Sequence, residues 1–127
     1  MTKKNKIYFF HPYSGKGGAD LSISRLINGL DHKKYEVDFL SLNYPKIRKK
    51  IKHKINFKIV NSNRTFFSFN EINSYIEKDK NYKKKIFISN QNFANALSTV
   101  FLKKKYNLKL ILFERNHINE LENYKNF

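Results

Sequence analysis

The chain has 127 residues, enough for one domain, and its 40% hydrophobic content suffices for a core. It has no cysteine, which excludes a disulfide framework and a thiolate metal site. Its net charge of +16 favours an anionic partner: a phosphate-bearing substrate, an acidic membrane surface or nucleic acid. Lys, Asn, Ile, Phe and Tyr, all with A/T-rich codons, are abundant together, so part of the lysine excess is compositional and reads as solvated surface. Met1 to Lys6 is polar, so no secretory leader is expected. No segment approaches the roughly 18–20 apolar residues of a membrane span.

The apolar run Ile7 to Phe10 predicts a short buried strand, followed by the turn Ser14-Gly15-Lys16-Gly17-Gly18-Ala19-Asp20. Ile23, Leu26, Ile27 and Leu30 recur at helical spacing after it, with Gly29 near the helix end. Glycines let backbone N–H groups approach an anion, and the helix turns its positive dipole end to the same place. Any tight strand-to-helix turn also favours glycine. A P-loop is excluded because Lys16 precedes Gly17 and Gly18, and the spacing also misses G-x-G-x-x-G. Asp20 would repel a phosphate but could accept hydrogen bonds from a hydroxyl-rich ligand.

Asp31 to Lys34 reads as a polar turn and Val37 to Leu42 as a second strand. Pro45 opens a basic stretch to Lys54, in which Ile47, Ile51 and Ile55 recur every four residues among cations. That spacing predicts a short helix, either an interfacial one on an anionic membrane or a surface helix whose isoleucines pack on the domain. Alternation over Ile55 to Val60 predicts a third, partly exposed strand. Ile72, Tyr75 and Ile76 mark a second helix with Asn70 as its candidate cap.

Lys85 to Ser89 predicts a buried strand, and a helix follows from about Asn92 with Phe93, Leu97, Val100 and Phe101 on one face. Leu110 to Phe113 is expected to be another buried strand, ending in the polar turn Glu114 to His117. Strand, helix and strand with short links predict parallel βαβ units. The expected fold is α/β, a Rossmann-like parallel sheet with helices on both faces. In such a sheet ligands bind at the carboxyl ends of the strands. That rule selects the turns His11 to Asp20, Ser89 to Asn92 (with Asn90 and Gln91 as polar contacts) and Glu114 to His117. His11 reads as a loop residue, His32 and His53 as surface residues, and His117 as an acid/base candidate. No His or carboxylate pair has metal-site spacing. Tyr and Phe are expected mostly in the core rather than in an aromatic nucleic-acid platform.

The ordered set Lys6 to Phe10, Gly17-Gly18-Ala19-Asp20, Ile88-Ser89-Asn90-Gln91 and Leu112 to Asn116 resembles the amino-terminal domain of family 4 glycosyltransferases, retaining GT-B enzymes that use nucleotide sugars. The resemblance covers nearly the whole chain. It implies an acceptor-side domain spanning 1–127, truncated, with the carboxy-terminal donor-binding domain absent and the fragment inactive alone. It implies that Gly17 and Gly18 lie against the donor diphosphate and the acceptor. Glu114, Arg115, Asn116 and His117 would face the cleft near the transferred sugar; many relatives carry a His where Glu114 stands. It further implies no resident cofactor, a nucleotide-diphosphate sugar as co-substrate, and a hydroxyl or lipid-linked acceptor. Placement would be cytoplasmic, with peripheral contact to an anionic inner membrane face and no nucleic acid. The alternatives are a small basic nucleic-acid-binding module and a non-catalytic nucleotide-binding domain.

Overall fold

The computed structural model describes residues 4–14, 18–103 and 107–113. Five strands, β1 (Asn5–Phe10), β2 (Tyr35–Ser41), β3 (Asn56–Ile59), β4 (Lys85–Asn90) and β5 (Leu108–Phe113), form one sheet in the order β3-β2-β1-β4-β5. Every pairing is parallel, and β1 is central, with Phe9 opposite Phe39 of β2 and Ile88 of β4. The helices are α1 (Gly18–Gly29), α2 (Phe69–Lys78) and α3 (Asn92–Phe101). The fold is Rossmann-like α/β.

Period-two alternation divides β1 between two cores. Ile7 and Phe9 pack with Val37, Phe39, Ile88 and the α1 residues Ile23 and Ile27. Tyr8 and Phe10 pack on the other face with Phe87, Ile72 and Ile76 of α2, and Leu97 of α3. A strand covered on both faces reads as a continuous apolar run, which is why Ile7 to Phe10 lacks polar alternation. Each such side chain contributes about 1.5–3 kcal/mol by leaving water. At the end of α1, a ring nitrogen of His32 donates to the Ile27 carbonyl at 2.8 Å, satisfying one of the acceptors a helix terminus leaves open. His32 also stacks on His53, ring centroids 3.9 Å apart.

Several expectations from the sequence are corrected. The stretch after Pro45 forms a 3-10 turn, Lys46–Lys50, and Ile47 is fully buried in the α1-side core, with Ile51 and Ile55 packed against it. The isoleucines therefore pack on the domain, as the second of the two readings of this stretch expected; the correction is the 3-10 turn in place of a helix. Ser68, not Asn70, precedes α2; a 3-10 turn at Thr65–Ser68 runs straight into the helix, so no side-chain cap is used. β5 is an edge strand rather than a buried one, and Leu112 is exposed. α3 is rotated from its expected face: Ala94 and Leu97 point inward, while Phe93, Val100 and Phe101 are exposed. Its small inward side chains and an Asn95 amide donating to the Phe113 carbonyl at 2.9 Å set that rotation. Tyr and Phe are thus divided between core and surface, with Tyr13, Tyr44, Phe66 and Phe67 also exposed.

Candidate functional site

Strand order turns at β1. One of its neighbours, β2, follows it through α1; the other, β4, arrives after α2. Helices leaving β1 and β4 lie on opposite faces, so a crevice opens between the carboxyl ends of these two strands, the usual ligand position in an open α/β sheet. Both α1 and α3 begin at this edge and turn their positive dipole ends toward it.

A buried polar network closes the floor of that crevice. His11 follows β1 and is 2% exposed. Its Nε2 lies 2.8 Å from Asp20 Oδ1 in the first turn of α1. The Asn90 amide nitrogen, at the end of β4, lies 2.8 Å from His11 Nδ1. An amide NH₂ only donates, so Nδ1 accepts and the ring proton is on Nε2, which donates to Asp20. Ser14 Oγ donates to Asp20 Oδ2 at 2.8 Å and accepts from the Ile47 backbone N–H at 3.2 Å. Asn43 grips the Ser14 backbone from both sides, accepting from its N–H at 3.0 Å and donating to its carbonyl at 3.1 Å. The network ties the turns after β1, β2 and β4 to one another. With both ring nitrogens engaged, His11 acts as a positioning residue.

Gln91 begins the turn from β4 into α3 with φ 104° and ψ 135°. Among the described residues it is the one non-glycine with positive φ. Such backbone costs on the order of 1–3 kcal/mol and persists where the surroundings impose it, most often at binding sites. Its side-chain amide donates to the Tyr13 carbonyl at 3.1 Å, bridging the turns after β4 and β1.

The expected site residues are placed as follows. Gly18 opens α1 at the exposed mouth, and a Cβ built on it meets nothing within 4 Å. Asp20 and Asn90 reach the same crevice but are buried, with Ser14 and His11 as partners, so they shape the floor from within. Gln91 is half-buried at the rim. Gly17, Glu114, Arg115, Asn116 and His117 lie outside the described residues; β5 ends at Phe113, opposite Asn90. His11 and Ser14 lie in the turn His11 to Asp20 that the sequence selected, but neither was singled out there as a contact residue, and Asn43 lay outside every selected turn. For His11 a signal existed, since it directly follows a strand buried on both faces. Ser14 was marked only by its place in that turn and Asn43 by nothing, because their partners are set by the meeting of distant turns. Among the described residues no group of three or more His, Cys, Asp or Glu could hold a metal.

A second charged cluster lies toward the amino-terminal ends of the strands. Lys6 Nζ is 2.9 Å from Asp38, 3.5 Å from Glu36 and 3.9 Å from Asp79. Tyr8 donates to Asp79 at 2.5 Å, Tyr75 to Asp38 and Tyr82 to Glu36, each at 2.6 Å. Burial disfavours a charged Lys6, but the three carboxylates overcome it and raise its pKa. Burial first, then the carboxylate partners, raise the phenols of Tyr8 and Tyr75. The Tyr82 hydrogen bond and Lys6 hold Glu36 below its ordinary value, against a smaller effect of burial. Every group here is occupied within the fold, so the cluster is a structural counterpart to the crevice at the other edge.

Comparison with protein-family models, with curated proteins and with solved structures finds no match to the chain.

Proposed function

We propose that the chain is the acceptor-side domain of a retaining GT-B glycosyltransferase, which moves a sugar from a nucleoside-diphosphate sugar to a hydroxyl acceptor. The observation that carries this reading is the convergence of Gly18, Asp20, Asn90 and Gln91 at the turning point of the strand order. The family resemblance falls on these same segments. In this reading the first backbone amides of α1 meet the diphosphate, where Gly18 leaves room for close approach and the buried Asp20 carboxylate is engaged by His11 and Ser14 instead of facing the ligand. The His11–Asp20–Asn90 network holds the floor rigid, and the Gln91 rim meets the sugar hydroxyls. Catalysis rests on stabilising the departing diphosphate and on positioning the acceptor, with the nucleotide sugar as co-substrate. The surplus of cations draws the anionic donor in. Glu114, Arg115, Asn116 and His117 enter the proposal through the resemblance alone.

The test is an amide-resolved NMR titration of the chain with a nucleoside-diphosphate sugar, the nucleoside diphosphate and a neutral disaccharide. Shifts centred on Gly18, Ala19 and Gln91, lost in Gly18→Asp, are the expected result. Shifts confined to other surfaces, or none with any of the three, would overturn the assignment.

A further inference from the structure

α3 (Asn92–Phe101) contains no charged residue, although 28% of the chain is charged and both α1 and α2 carry charges. On its outer side Phe93 is 62% and Val100 71% exposed, and the small Ala96 lies exposed between them at helical spacing. The apolar surface continues onto the neighbouring 3-10 turn, where Phe67 is 64% exposed and Phe66 packs edge-on against Phe101 at 5.2 Å. Tyr13, Phe66, Phe67 and Phe93 wall an open cleft of about 440 Å³ at the amino end of α3, with Arg64 at its lip. Taking about 200 Å² for a whole aromatic side chain, the exposed fractions of these aromatics, Val100 and Phe101 leave roughly 600 Å² of apolar surface. That reaches the upper end of the roughly 300–600 Å² seen for the largest apolar patch of an ordinary monomer, the size at which a patch marks an interaction site.

We infer that this face pairs with the same face of a second copy of the chain, α3 against α3 in antiparallel, about a two-fold axis beside Ala96. The stripe is self-complementary. Phe93 and Val100 stand about 10 Å apart along one side of the helix, so antiparallel pairing seats Phe93 of each copy on Val100 of the other. The small Ala96 at the centre lets the helix axes approach to roughly 8 Å, as in closely packed pairs. The area also suffices. Two such faces bury roughly 1,200 Å², the lower end of specific, stable interfaces. The net charge of +16 opposes the approach of two copies, but least along this uncharged helix. Lys103, just past its end, is already paired with Glu77 at 3.7 Å. Arg64 shares the cleft with Phe93, so antiparallel copies hold their two Arg64 residues at opposite ends of the interface. An acidic protein or a nucleic acid would find its cations elsewhere on the chain and nothing to attract it on α3. The inference rests on this surface and not on glycosyl transfer.

The test is sedimentation velocity of the chain between about 1 and 200 μM. The expected result is a monomer–dimer equilibrium that tightens as salt rises from about 50 to 500 mM, because salt screens the repulsion between the cationic copies and leaves the apolar contact in place. Phe93→Ser with Val100→Ser should weaken the dimer by at least about tenfold, since each lost apolar side chain forfeits its transfer energy. Both positions are exposed, so the circular dichroism of the variant should match that of the parent. The chain has no cysteine, so Ala96→Cys supplies one thiol per copy. Under mild oxidation it should form a disulfide-linked dimer well before Lys34→Cys, which is exposed beside the amino end of β2. A chain that stays monomeric, a dimer that salt dissolves, a dimer unchanged in the Ser variant, or equal oxidation at the two cysteines would overturn the inference. A monomer that pellets with phosphatidylcholine vesicles would give the face to lipid instead.

Discussion

His11 Nε2 lies 2.8 Å from Asp20 Oδ1, joining the end of β1 to the first turn of α1 across the glycine-bearing loop. The second Asp20 oxygen takes the Ser14 hydroxyl at the same distance. A carboxylate with two acceptor oxygens is the group that can receive two donors converging from opposite sides, and its charge also suits the amino end of a helix.

Asp20→Asn tests this relationship. The amide keeps one acceptor and turns a donor toward either His11 or Ser14, leaving a buried donor unsatisfied. Urea unfolding should show a loss of about 1–3 kcal/mol with an unchanged slope. A loss within a few tenths of a kcal/mol would mean that the turns hold one another without Asp20.

Gln91→Gly should stabilise the fold. Glycine adopts φ 104° without a Cβ penalty, and the side-chain bond to Tyr13 that is lost is exposed to water. The expected gain is of order 1 kcal/mol, read as a higher melting temperature, whereas Gln91→Ala should not stabilise. If the strained turn serves the crevice, the glycine variant should also bind donor analogues more weakly. A gain in stability with ligand shifts unchanged would separate the strain from function.

The Lys6 cluster predicts alkaline lability. Tyr8, Tyr75, Tyr82 and Lys6 all have folded pKa values raised above their ordinary 10.0 and 10.5. The folded state therefore keeps protons that the unfolded chain releases first. This stabilisation is complete below pH ~10 and is lost as pH rises above it. The urea midpoint should hold steady to about pH 9.5 and then fall, more steeply than in Tyr8→Phe, which removes one of the retained protons. Equal slopes in the two proteins would show that the Tyr8 phenol does not contribute.

The alternation of strands and helices, the parallel sheet and the edge bearing the crevice were legible in the sequence because they depend on local periodicity and short connections. The run Ile7 to Phe10 reads as a buried strand, and Ile23 and Ile27 of α1 fall on one face. Tertiary structure alone decided which side chains meet. His11 bonds Asn90 across 79 positions, and Ser14 is held by Asn43, 29 positions away. Ile47, read as part of a stripe among cations, is buried because the turn after β2 folds back over α1. α3 carries apolar groups on more than one side, so periodicity left its rotation open. Contact with β5 and α2 set it, through Asn95 on Phe113 and through Asn73, which donates to the Phe101 carbonyl at 3.0 Å. A strand or helix follows from its own residues within a turn or two. A buried polar partner or a helix rotation depends on surfaces that exist only after distant segments have packed.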